Sequence, residues 1–131
     1  MTSAKGTFRV QSWQEHPYLE LDGGAKLTRA SVEQGFAGDI VGGGAVEWLM
    51  AYRPDGTADF VGMQTVTGTI GGRAGGFVVR SVGSFDGGIA EGAWSVVVGS
   101  GTRDLAGLRG HGGFRAPLGP EATYELDYTF G

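Results

Sequence analysis

The stretch VEWLMAYRPDGTADFVGMQTV, residues 46–66, decides the fold class. On both sides of Pro54-Asp55-Gly56, apolar and polar residues alternate with a period of two, which is typical of a half-buried β-strand. Pro, Asp and Gly favour chain reversal, because Pro fixes φ and Gly tolerates a positive φ. The stretch therefore predicts two antiparallel strands joined by a tight turn.

The same organisation extends over the rest of the chain, which has 131 residues and fits a single domain spanning 1–131. Six further turn signals lie at Asp22-Gly23-Gly24, Gly42-Gly43-Gly44, Gly71-Gly72, Asp86-Gly87-Gly88, Gly99-Ser100-Gly101 and Gly119-Pro120. Eight strand-like segments result, and the best helical candidate, Thr102–Leu108, is one turn at most. The pattern indicates an all-β meander with minimal helix.

Closure of this meander is expected, since an open sheet would leave two unpaired edges. Soluble proteins commonly remove such edges by forming a barrel. We therefore predict an eight-stranded antiparallel meander barrel. A barrel of this size holds either a packed core or one small ligand, so the inward-facing side chains decide its function.

Composition excludes several functional classes. The chain has no cysteine and a formal net charge of −4, with scattered basic residues. Disulfides and thiolate metal sites are therefore impossible, and nucleic acid is not an expected partner. The sequence shows neither a signal peptide nor a long apolar run, so we expect no membrane partner and a cytoplasmic location. His16 and His111 lack metal-ligand spacing and no nucleotide motif occurs, so we expect no cofactor.

As a two-residue hairpin turn, Asp55-Gly56 places Glu47 opposite Gln64. Treating Gly71-Gly72 and Gly87-Gly88 in the same way extends one inner face over four strands. The inner residues expected to contact a ligand are Phe36, Leu49, Phe60, Phe77, Val79, Ser81, Phe85 and Trp94. An apolar outer row would consist of Trp48, Met50, Tyr52 and Met63. This row predicts a homo-oligomer, with a dimer favoured over a trimer.

Glu47 and Gln64 would be polar residues in an otherwise apolar interior. Burial of a carboxylate raises its pKa and prepares it for general acid–base catalysis, with Gln64 as its polar partner. In the structural alternative, Glu47 is hydrogen-bonded to Gln64, a tyrosine or water and has no catalytic role.

Five motifs are distributed along the chain, at Ala4–Phe8, Lys26–Val32, Gly38–Ile40, Val46–Arg53 and Gly99–Gly110. Together they resemble the bacterial DUF3224 family over nearly the whole chain. This family of unknown function is related by fold to plant allene oxide cyclases and dirigent proteins, and Gly99–Gly110 is similar to the dirigent Gly-Thr-Gly loop. The resemblance implies an eight-stranded barrel of the allene oxide cyclase-like, calycin-like kind that binds hydrophobic molecules and steers cyclisation or coupling without a cofactor. It transfers no catalytic residue.

Three functions remain open at this point. A cofactor-independent isomerase or cyclase would fold a mostly apolar substrate between the inner aromatic rings and use Glu47 for proton transfer. A binding protein for a small hydrophobic ligand would need the same cavity but no proton-active group. A structural or interaction protein would have a packed barrel.

Overall fold

The structure is a computed structural model that describes all residues, 1–131. Its strands are β1 (Thr2–Glu20), β2 (Lys26–Gly38), β3 (Ile40–Tyr52), β4 (Ala58–Ile70), β5 (Arg73–Phe85), β6 (Ile89–Val96), β7 (Leu108–Pro117) and β8 (Glu121–Phe130). Each strand pairs antiparallel with the next, and β8 pairs with β1, so the sheet forms a closed barrel. The predicted eight-stranded, all-β architecture is confirmed.

Helical structure is confined to two 3₁₀ turns, Asp22–Gly24 and Arg103–Leu105. None of the helical segments has the length and hydropathy that a membrane-spanning helix requires. The second turn belongs to the β6–β7 connection, which covers the end of the barrel where both chain termini lie; we call this the lower end. Leu105 is buried there, and the Thr102 amide donates a hydrogen bond to the Gly76 carbonyl at 2.9 Å. The lower end is therefore closed by protein.

One predicted turn is wrong. Gly42-Gly43-Gly44 lies inside β3, and the chain reverses instead at Asp39, after Gly38 with φ of 99°. A Cβ atom on Gly42 would lie 2.1 Å from the Thr67 carbonyl oxygen, so a close approach of β3 and β4 explains this glycine.

The β3–β4 register differs by one residue from the prediction. Three residues, Pro54–Gly56, form the turn: the Gly56 amide donates to the Arg53 carbonyl at 3.0 Å, and the Arg53 amide donates to the Thr57 carbonyl at 2.8 Å. Gly56 has a φ of 88°, as expected for a turn followed by a left-handed glycine bulge. This third turn residue shifts the pairing, so Glu47 lies opposite Met63 rather than Gln64.

A shift of one residue exchanges the two faces of a strand. Trp48 and Met50 are buried inside the barrel, whereas Glu47 and Leu49 lie on its outer face. The predicted outer row therefore does not form, and the expected homo-oligomer loses that support. The β4–β5 and β5–β6 registers agree with the prediction, with Gln64 opposite Val79 and Ser81 opposite Trp94.

Four large aromatic rings inside the barrel lie over glycines of an adjacent strand. The directly paired residues are Trp48 and Gly62, Phe60 and Gly83, Phe114 and Gly92, and Tyr124 and Gly6. A Cβ atom on Gly62 would lie 2.5 Å from the Trp48 ring, and one on Gly92 would lie 2.3 Å from the Phe114 ring. These glycines leave the space that the rings occupy.

We expect Gly62→Ala to destabilise the fold by about 1–3 kcal/mol, because the added methyl group must displace the packed Trp48 ring. Gly43→Ala is the matched control, since its Cβ atom would have its nearest contact at 3.5 Å. The control should be neutral, or more stable by up to about 1 kcal/mol, because alanine restricts the unfolded chain. Urea unfolding followed by tryptophan fluorescence measures both, and a Gly62→Ala variant as stable as Gly43→Ala would contradict this packing.

Candidate functional site

A cavity of about 260 Å³ opens at the upper end of the barrel, opposite the β6–β7 connection. Its lining consists of 12 residues, 11 of them hydrophobic: Phe8, Val10, Trp13, Gln34, Trp48, Met50, Tyr52, Phe60, Phe85, Ala90, Phe114 and Ala116. An engineered apolar cavity of about 150 Å³ already binds benzene. The present cavity therefore has room for a bicyclic molecule.

The cavity exists because the barrel wall is incomplete near its upper end. β1 pairs with β8 only over Thr2–Arg9, whereas it pairs with β2 as far as Glu20. Above Arg9 no strand covers the β8 side of β1. On the opposite wall, Ala90 and Ala116 contribute only methyl groups to the lining. These features provide both the volume and an opening to solvent.

A register irregularity in β1 adds two side chains to this site. Between Val10 and Ser12 the strand bulges at Gln11, so Val10 lies opposite Gln34 and Trp13 lies opposite Val32. Gln34 and Val32 are both buried inside the barrel. The bulge therefore places Val10 and Trp13 on the same inner side although they are three residues apart.

Glu15 follows Trp13 on the same side of β1, and its hydrogen bonds connect β1 to β2 and β3. Its carboxylate accepts hydrogen bonds from Trp13 Nε1 at 3.0 Å, from the Tyr52 hydroxyl at 2.8 Å and from Thr28 Oγ1 at 2.6 Å. Burial, and then the hydrogen bond and charge of Glu15, raise the pKa of Tyr52 to about 12. The Tyr52 hydroxyl thus stays protonated at neutral pH and donates to Glu15. Glu15 was not predicted, because the faces of β1 were not assigned from sequence.

Two buried glutamines lie at the inner end of the cavity. Gln64 Nε2 donates a hydrogen bond to Gln34 Oε1 at 2.5 Å, and both side chains are at least nine-tenths buried. Gln34 lines the cavity, whereas Gln64 lies outside its lining. The inward position predicted for Gln64 is correct, but its partner is Gln34 rather than Glu47. Gln34 was not predicted, because the β2 register was not assigned from sequence.

The predicted ligand-contacting residues separate into three groups. Phe60 and Phe85 line the cavity. Phe36, Phe77, Val79, Ser81 and Trp94 are buried in the barrel but do not line the cavity. Leu49 is 49% exposed on the outer face, so its predicted inward position is wrong. The aromatic packing of Trp94 against Phe8 and Phe36 fills the region below the cavity.

Glu47, the predicted acid–base residue, also lies on the outer face. Its Oε1 atom accepts a hydrogen bond from Ser31 Oγ at 2.9 Å and pairs with Arg29 Nη2 at 2.9 Å. The hydrogen bonds from Ser31 and Arg29 lower the pKa of Glu47, opposite to the predicted direction. The structure therefore does not place Glu47 or the predicted Glu47–Gln64 pair in the cavity.

No group of three or more His, Asp or Glu side chains is arranged to hold a metal ion.

A larger, shallow groove of about 880 Å³ crosses the outer face of the barrel. Its rim carries Lys5, Glu91, Arg115, Glu125 and Asp127. The upper cavity is the better candidate for small-molecule binding, because it combines an apolar lining with partial enclosure.

The surroundings of Glu47 predict a pH-dependent contribution to stability. A carboxylate with a lowered folded-state pKa contributes stability above its unfolded pKa and loses it as pH falls through the folded pKa. We expect Glu47→Gln to be less stable than wild type at pH 7, by less than about 1 kcal/mol for an exposed pair. The difference should shrink below about pH 4.

Urea unfolding of both proteins at pH 7 and pH 3 measures this difference. Glu33→Gln is the control. Like Glu47, Glu33 is an exposed strand residue, but it lies on β2 and has no ion-pair partner. A Glu47→Gln variant that is more stable than wild type at pH 7 would show that the ion pair does not stabilise the fold.

Comparison with known proteins identifies the family. The model of the DUF3224 family, described as a protein of unknown function, matches residues 4–128. The chain is similar to a solved structure of a DUF3224 protein with unknown function from Shewanella oneidensis MR-1, at 28% identity and a TM-score of 0.81. That alignment covers 100% of this chain and 98% of the other. No curated protein matches the sequence. Because the family model matches nearly the entire chain, the protein belongs to the DUF3224 family.

Proposed function

We propose that this barrel binds a small, mostly apolar molecule in its upper cavity. The observation that carries the proposal is the lining itself, in which 11 of 12 residues are hydrophobic and surround a volume of about 260 Å³. Transfer of an apolar molecule from water into such a lining is favourable by roughly 25 cal/mol per Å² of buried apolar surface. The opening beside β1 gives the molecule a route to the cavity.

A purely structural role is less well supported. The lower half of the barrel is filled by side chains such as Phe36, Trp94 and Leu105, which shows that this chain can pack a barrel interior. Larger residues at Ala90 and Ala116 would fill much of the upper half as well. An apolar space left open at one end only is therefore better explained by an occupant than by a role in stability.

An isomerase or cyclase without a cofactor is the second candidate. The observation that favours it is the hydrogen bond between Glu15 and Tyr52, because Tyr52 lines the cavity and Glu15 can accept a proton. In this candidate the Glu15–Tyr52 pair replaces Glu47 as the acid–base group. This second proposal includes a relationship by fold to the allene oxide cyclase and dirigent barrels.

Binding can be tested with 6-propionyl-2-(dimethylamino)naphthalene, an uncharged dye whose emission shifts to the blue when it leaves water. We expect saturable binding of one dye molecule per chain. Ala90→Phe should weaken binding at least tenfold, because the added ring enters the cavity. Ala93→Phe is the matched control on β6, since Ala93 is exposed on the outer face and should retain wild-type affinity. Equal dye affinity in both variants would place binding outside this cavity.

The enzyme candidate makes a separate prediction. This candidate requires the carbonyl end of a bound ketone to lie beside Tyr52 and Glu15, where its α-hydrogens should exchange for deuterium in D₂O faster than those of the free ketone. NMR of 2-acetylnaphthalene with catalytic amounts of protein measures the rate. Glu15→Gln should reduce any acceleration at least tenfold, whereas Glu33→Gln, on the outer surface, should not. Exchange at the uncatalysed rate despite dye binding would leave the protein as a binding protein.

A further inference from the structure

We infer that the ligand is an uncharged molecule whose inner end presents a carbonyl-type oxygen to the side-chain amide of Gln34. This inference rests on the proposed binding function and adds the chemical class of the ligand. It follows from three observations: the hydrogen bonds that the polar lining groups already make, the orientation of the two buried glutamines, and the absence of charged residues from the lining.

Three residues of the lining carry polar side-chain atoms, namely Trp13, Tyr52 and Gln34. Trp13 Nε1 and the Tyr52 hydroxyl both donate to the carboxylate of Glu15, at 3.0 Å and 2.8 Å. An indole nitrogen has a single hydrogen to donate, and so has a phenol. Neither group is therefore free to donate to a ligand, although the Tyr52 oxygen can still accept, and Gln34 is left as the uncommitted donor of the lining.

The pairing of the glutamines determines which end of the Gln34 amide is available. Gln34 Oε1 accepts the hydrogen bond from Gln64 Nε2 at 2.5 Å. Gln34 Nε2 donates no hydrogen bond within the protein, although it carries two hydrogens. This nitrogen is open to the cavity rather than sealed in the core, so a ligand that displaces water from it leaves a donor without an acceptor unless the ligand offers an oxygen of its own. The amide therefore selects a ligand that accepts a hydrogen bond.

The charges around the cavity favour a neutral acceptor. No Lys, Arg, His, Asp or Glu residue lines the cavity. A carboxylate ligand would lose its hydration without gaining a cationic partner, and Glu15 lies behind Trp13 and Tyr52 as a negative charge. Ketones, aldehydes, esters, lactones and quinones meet the requirement, whereas carboxylates and phosphates do not.

Burial indicates how such a molecule would be oriented. Gln34 is 5% exposed, whereas Trp13 is 46% exposed. Phe36, which follows Gln34 by two residues on the inner face of β2, already belongs to the packed lower core. The carbonyl end therefore lies deepest and the apolar end lies toward Trp13.

A matched pair of probes tests this inference. In 2-isopropenylnaphthalene, a CH₂ group replaces the carbonyl oxygen of 2-acetylnaphthalene with little change in shape. The quantity measured is the ratio of their dissociation constants, obtained by quenching of tryptophan fluorescence. Replacing Gln34 by Met removes the amide but retains the chain length, so the preference for the ketone should fall roughly three- to tenfold. Because the ratio is compared between wild-type and variant protein, the difference in hydration free energy between the two probes cancels.

Two further variants control for the lost hydrogen bond of Gln64 and for a substitution at the surface. Gln34→Met removes the acceptor of the buried Gln64 amide, so the double variant Gln34→Met/Gln64→Met is measured as well and should show the same loss of preference. Gln14→Met is the surface control on β1 and should leave the ratio unchanged. A third probe, 1-(2-naphthyl)ethanol, detects an amide that presents its oxygen instead, and 2-naphthoate tests the exclusion of anions.

The outcomes separate the inference from the proposed function. If both neutral probes bind but the ratio is the same in wild type and both Gln34 variants, the Gln34 contact is wrong and the binding function stands. Selective weakening of the alcohol in those variants, or naphthoate binding more tightly than the ketone, would also overturn the inference. If no neutral probe, the dye included, binds wild-type protein, the proposed function fails.

Discussion

The limited width of the barrel interior governs how this protein packs. Eight strands enclose a space that ordinary side chains fill, so several of the largest rings fit because the residue paired with them on a neighbouring strand is glycine. Trp48 over Gly62 and Phe114 over Gly92 are two such pairs. Space remains at the upper end, where Ala90 and Ala116 contribute only methyl groups to the lining. The cavity is thus a product of the same constraint that packs the lower core.

The fold class could be predicted because it depends on local signals. Period-two alternation and turn residues identified the strands, and the Gly71-Gly72 and Gly87-Gly88 turns gave the correct register on both sides of β5. The β3–β4 register was missed because Pro54-Asp55-Gly56 forms a three-residue turn, and sequence alone allowed a two-residue reading. One extra turn residue was enough to exchange Glu47 for Trp48 on the inner face.

The site was harder to predict than the fold, because its key residues depend on irregular or distant pairing. The faces of β1 were not assigned from sequence, and the bulge at Gln11 that brings Glu15 to the inner side breaks simple alternation along this strand. Gln34 contacts Gln64 across an intervening strand, since β2 and β4 lie on either side of β3. Phe60 and Phe85 were found because the β4 and β5 registers followed from the glycine turns alone.

The pairing of β1 with β8, which closes the barrel, differs from the other strand pairings in the sequence separation of the paired residues. Successive strands are joined by short connections, but Arg9 and Glu121 meet across almost the whole chain. Joining segments about 110 residues apart costs roughly 3 kcal/mol more in chain entropy than closing a five-residue turn. During folding, an open curved sheet should therefore assemble first and become a barrel last.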